Sequence, residues 1–69
     1  MSASKIIKQL LLEREMSVKD LADKLEVLPQ SMSNKFYRDS FSFSEIVKIA
    51  DILNCDVKVV TRDSNKEFI

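Results

Sequence analysis

Apolar residues recur at helical spacing in four stretches of the chain, and the pattern turns β-like only near its end. Ile6, Ile7, Leu10 and Leu11 make the apolar face of a first helix over residues 4–15, which Ser2 or Ser4 can cap. Leu12 and Met16 lie off that stripe, and Lys5, Lys8, Glu13, Arg14 and Glu15 form its wet side. Val18, Leu21, Ala22 and Leu25 repeat the period in a second helix, residues 18–25, with Ser17 as its N-cap and Lys19, Asp20, Asp23 and Lys24 on the opposite face. Pro29 opens a third helix, residues 29–37, because its fixed φ suits a first helical position and its missing N–H is not needed there. Met32 and Phe36, four apart, form the apolar stripe of that helix. Ser42 and Glu45 make a capping-box pattern before a fourth helix, residues 43–53. Ile46, Ile49, Ala50 and Leu53 are its main stripe, and Val47 and Ile52 widen the apolar arc beyond half the circumference. Asn54 is the left-handed stop available to a chain that has no glycine.

Residues 57–61 are mostly β-branched, and Asp56 and Arg62-Asp63 bracket them, so they predict a short strand followed by a tail, residues 63–69. In a helical chain that strand must pair with a second copy, with the tail folded back, or with something external. Pairing of identical strands across a two-fold axis is the first expectation, because it also supplies burial that a small domain lacks. It makes Val57, Val59 and Thr61 the dimer interface.

Sixty-nine residues predict one domain, 1–69, burying only about 60% of its unfolded surface. There is no histidine and one cysteine, Cys55, which excludes a disulfide framework within the chain and a Cys/His zinc site. No metal, cofactor or small-molecule ligand is expected, and Cys55 is assigned a structural role. No apolar run approaches the roughly 20 residues that span a bilayer, and no secretory signal precedes the first helix, so a soluble, cytoplasmic protein with no membrane partner is expected. Enzymatic activity is not expected: no histidine serves as a base, and no glycine-rich loop cradles phosphate.

Eleven basic and eleven acidic residues cancel, which counts against strong nonspecific binding to nucleic acid but permits a reader with a few cations on one face. The third helix supplies such a face. Gln30, Ser31, Ser33, Asn34 and Lys35 are short or amide-bearing groups able to meet base edges. Phe36 and Phe41 are expected in the core, with Tyr37 and Phe43 more open.

The stretch L-A-D-K-L-E-V-L-P-Q-S-M-S-N-K resembles the phage-repressor helix-turn-helix proteins, the Cro and Xre-like transcriptional regulators, over roughly Ile6 to Leu53. Ala22 takes the place of the family's small residue at the helix crossing, Val27 that of the apolar turn residue, and Met32 that of the recognition-helix anchor. Glu26 stands where the family usually has glycine, and Leu28 where it usually has a Ser or Thr cap. The resemblance implies a mainly α fold, a compact four-helix lambda-repressor-like helix-turn-helix domain with a short C-terminal β-strand. It implies a homodimeric repressor on double-stranded DNA. The family's base-reading positions fall on Pro29, Gln30, Ser31 and Asn34. Pro29 offers no side-chain donor, so Gln30, Ser31 and Asn34 carry the reading. The phosphate-contacting position falls on Ser17, and charge adds Lys35 and Arg38 as backbone contacts. The competing expectation is an antitoxin-like or regulator-binding interaction module that keeps the fold without strong DNA binding. The acidic Asp20, Asp23 and Glu26 beside the motif favour it.

Overall fold

A computed structural model describes residues 2–69, with four helices followed by a small antiparallel hairpin. The helices are α1 (Ala3–Glu13), α2 (Val18–Lys24), α3 (Pro29–Arg38) and α4 (Phe43–Ile52), and the strands are β1 (Val59–Val60) and β2 (Glu67–Phe68). Local chemistry fixes where each helix starts. Ser2 caps α1, accepting from the Lys5 N–H, and both Ser17 and Ser42 close reciprocal capping boxes with Asp20 and Glu45. Those bonds hold both carboxyls below the usual carboxylate range. For Asp20 the first cause is the Ser17 backbone N–H; for Glu45 it is the bond from Lys35, then the Ser42 N–H.

All four helices end alike. The residue after the last turn is left-handed, at Glu15, Glu26, Asp39 and Asn54, with φ of 54°, 57°, 53° and 59°. At each end, two N–H groups fold back onto the last turn, as Glu26 to the Asp23 carbonyl and Val27 to the Ala22 carbonyl do for α2. Asn54 therefore stops α4, and Glu26 holds the turn between α2 and α3 in the conformation a glycine would favour. A non-glycine residue there costs about 1 to 2 kcal/mol, against about 0.4 to 1 kcal/mol for the extra freedom of an unfolded glycine. Glu26→Gly is accordingly expected to stabilise the fold by about 0.5 to 1 kcal/mol and raise Tm by a few degrees. A lower Tm in thermal denaturation would show that the Glu26 side chain contributes more than its backbone strain removes.

The core is one cluster, drawn from all four helices: Ile7 and Leu11, Leu21 and Ala22, Met32 and Phe36, Ile49 and Leu53. Leu21 and Ala22 are wholly buried, and α2 packs on α3. Phe41 packs on Phe36 edge to face, with centroids 5.1 Å apart. Ile6 and Val47, expected on core faces, are instead part-exposed, because each lies at the margin of its helix's apolar arc.

Two polar ties complete the packing. Ser4 is buried: its Oγ lies 3.0 Å from the Phe36 carbonyl and 2.8 Å from Asp39 Oδ1, and its N–H donates to the same carboxylate at 2.8 Å. The backbone bond first, then the hydroxyl, keeps the Asp39 carboxyl below its ordinary range. Arg14 Nε donates to the Leu53 carbonyl at 2.9 Å, joining α1 to the end of α4, where a cation is also favoured by the helix dipole. Cys55 is partly buried against the core, consistent with packing rather than chemistry.

The strand is where expectation and structure part. It shortens from residues 57–61 to Val59–Val60, and its partner is the chain's own tail, with Val59 opposite Phe68 and Val60 opposite Glu67. Thr61 closes the hairpin: its N–H donates to the Lys66 carbonyl, and its Oγ1 accepts from the Lys66 N–H. A six-residue connection, residues 61–66, suffices to bring the tail back, so the ladder closes locally, without the entropy of bringing in a second chain. The tail is thus the strand's partner within the chain, and Val57 and Thr61 lie outside the two-residue ladder.

Candidate nucleic-acid interface

The helix-turn-helix unit presents the outer face of α3. Met32 and Phe36 anchor its inner side, and the 3.6-residue period then carries Gln30, Asn34 and Tyr37 outward along one stripe, with Ser31, Ser33 and Arg38 flanking it. All six are exposed. Gln30 Nε2 donates to Asn34 Oδ1 at 3.4 Å, so the two amides stand side by side, one turn apart. Pro29 is the first helical residue and Leu28 provides no side-chain cap, which leaves first-turn N–H groups of α3 open to solvent.

The remaining predicted contacts divide. Ser17 is exposed at the start of α2; its Oγ accepts from the Asp20 N–H, which leaves the hydroxyl hydrogen free to donate. Arg38 is exposed in the last turn of α3. Lys35 lies elsewhere, roughly 140° around the helix from Gln30. Its Nζ sits 2.6 Å from Glu45 Oε2 and ties α3 to α4. Gln30, Ser31, Asn34 and Arg38 are exposed, whereas Lys35, a neighbour of Ser31 and Arg38 on the helix, is half-buried in its pair with Glu45. Tyr37 is a member of the exposed stripe which sequence reasoning placed only as an open aromatic. Its seven-residue spacing from Gln30, two helical turns, was the available signal.

A family model for the Cro/C1-type HTH DNA-binding domain matches residues 6–58. The chain belongs to this family. The matched span holds the whole helix-turn-helix unit and α4, and ends before the hairpin. No curated protein and no solved structure matches the chain. Membership makes this a DNA-binding regulator domain. No helix among the described residues is long and apolar enough to cross a membrane, and they hold no group of three metal-ligating side chains.

Proposed function

We propose that this Cro/C1-type domain binds duplex DNA sequence-specifically, by inserting α3 into the major groove, and regulates transcription as a small homodimeric repressor. The observation that carries the reading is the Gln30–Asn34 pair, two exposed amides held one turn apart on the solvent side of the helix. Each can meet adenine bidentately, and Ser31 can reach either kind of base edge. Ser17 and Arg38 fix register through phosphates, and Lys35 joins them only by exchanging Glu45 for DNA.

Dimerisation is supported by apolar surface left open on the hairpin side. Phe43 is 67% and Val59 61% exposed, and Phe43, Val47, Val57 and Ile69, with Lys48, Asp51 and Asp56 beside them, line one groove of about 510 Å³. A second copy would cover Val57 as part of that groove and Val59 on the hairpin face, whereas Thr61 is occupied in the turn. The same exposed apolar groove favours the second reading, an interaction module that docks another protein.

Selection from a random duplex library separates the two. The expected result is a two-fold symmetric motif whose half-sites lie about 34 to 36 Å apart, bound with steep salt dependence. An enriched single half-site would remove the homodimer. No enrichment at low salt would sink DNA reading and leave the interaction module.

A further inference from the structure

Beside the reading stripe, Lys8 of α1, Ser33 and Tyr37 of α3, and the apolar Val18 and Phe36 line a concavity of about 250 Å³. In a chain with as many acids as bases, this wall carries one cation and two hydroxyls and no carboxylate. Lys8 Nζ lies 5.7 Å from the Phe36 ring centroid, so the aromatic face steadies the ammonium while leaving its N–H donors to a ligand. Among the described residues no carboxylate pairs with Lys8. Tyr37 lines the concavity and is nonetheless 92% exposed, a large aromatic left open to a ligand. A hollow lined by one ammonium and two hydroxyl-bearing side chains, with room for several waters of about 30 Å³ each, suits a tetrahedral oxyanion.

Its position identifies the oxyanion. Ser33 lies three residues from Gln30 and Tyr37 three from Asn34, so the concavity adjoins the amide pair. Tyr37 stands seven residues beyond Gln30, roughly 10 Å along the axis, at the end of α3 away from the N-terminal residues that meet base edges. When Gln30 meets a base edge, Tyr37 reaches the rim where phosphates stand.

We propose that Lys8, Ser33 and Tyr37 seat one backbone phosphate of the bound duplex. The seat rests on α3 being the DNA-facing helix. Lys8 supplies the charge that displaces a counterion, while Ser33 and Tyr37 donate neutral hydrogen bonds, so the two kinds of contact separate in a salt titration of the selected duplex. Lys8→Ala is expected to lower the slope of log affinity against log salt by about 0.9, and Lys8→Gln, which keeps most of the stem over Phe36, to lower it equally. Tyr37→Phe is expected to weaken binding about 3- to 10-fold with the slope unchanged. Lys5→Ala, which removes the same charge from α1 outside the concavity, leaves both within twofold. Melting curves confirm that each variant is folded.

Inorganic phosphate at matched ionic strength is expected to shift the Ser33 and Tyr37 amide signals no more than chloride does. Saturable shifts there would reassign the hollow to a free anion and overturn the proposal. Wild-type slope for both Lys8 variants, with wild-type affinity for Tyr37→Phe, would also overturn it while leaving α3 as the reading helix. Failure of the wild type to bind any duplex would overturn the α3 reading and the seat together.

Discussion

Replacing Gln30 and Asn34 together by alanine is expected to weaken binding to the selected sequence by about 2 to 6 kcal/mol, at about 1 to 3 kcal/mol for each bidentate contact with a base. In affinity that is roughly 30-fold to 10⁴-fold. Tm is expected to change little, because both side chains are exposed and neither holds another element in place. The direct bond from Gln30 to Asn34 makes the two sites energetically coupled. Removing Asn34 releases the Gln30 amide from its neighbour, so the double variant should differ from the sum of the singles. The measurement is a binding titration on the selected duplex and on one with the adenines changed. Equal loss on both would show that the amides contribute to affinity without reading sequence, and an unaltered preference would move the reading to Ser31.

The largest expected effect on stability lies behind the interface. Leu21 is wholly buried in the cluster that joins α2 to α3, and truncating such a leucine to alanine costs about 2 to 5 kcal/mol. A chain of 69 residues has about 3 to 10 kcal/mol in all, so Leu21→Ala should remove a large part of it and lower Tm by more than 10 °C. Leu12→Ala is the matched control: Leu12 is 78% exposed, and its loss should stay within about 0.5 kcal/mol. A Leu21→Ala variant as stable as that control, measured by urea denaturation, would show that α2 is not seated on α3 as described. Because the same seating aims Gln30 and Asn34, the variant should also lose affinity at temperatures where a fraction of it is unfolded.

Much of the helical unit was legible in the chain. Ser17, Pro29 and the Ser42–Glu45 pair announced helix starts through bonds that span three residues, and Asn54 announced a helix end through a backbone preference. These signals are local, and local chemistry is what a sequence displays. The resemblance to the repressor family survived its two departures for a physical reason. Glu26 adopts the left-handed backbone despite its side chain, and the turn keeps both of its closing bonds. Leu28 leaves α3 without a side-chain cap, yet Pro29 still starts the helix.

Illegible were the contacts between residues far apart in the chain. Ser4 looked like a cap and is instead a buried link to Asp39, 35 residues away. Arg14 looked like part of a solvated face and instead holds the end of α4, 39 residues on. Lys35 looked like a phosphate contact, and only the position of Glu45 shows it paired within the fold. Lys8 looked like solvent-facing charge until α1 was laid across Phe36.

By itself, then, the sequence determined four helices, their starts, the stop of the fourth, their apolar faces and the pair of amides on the outside of the third, because period, caps and turn residues act within a few positions of one another. The tertiary structure alone decided that the strand folds back on its own tail, that Lys35 is tied to Glu45, and that Lys8 joins Ser33 and Tyr37 in one hollow. Those outcomes depend on how the helices cross and on where the chain returns. Packing of the whole core sets that geometry, and no single stretch encodes it.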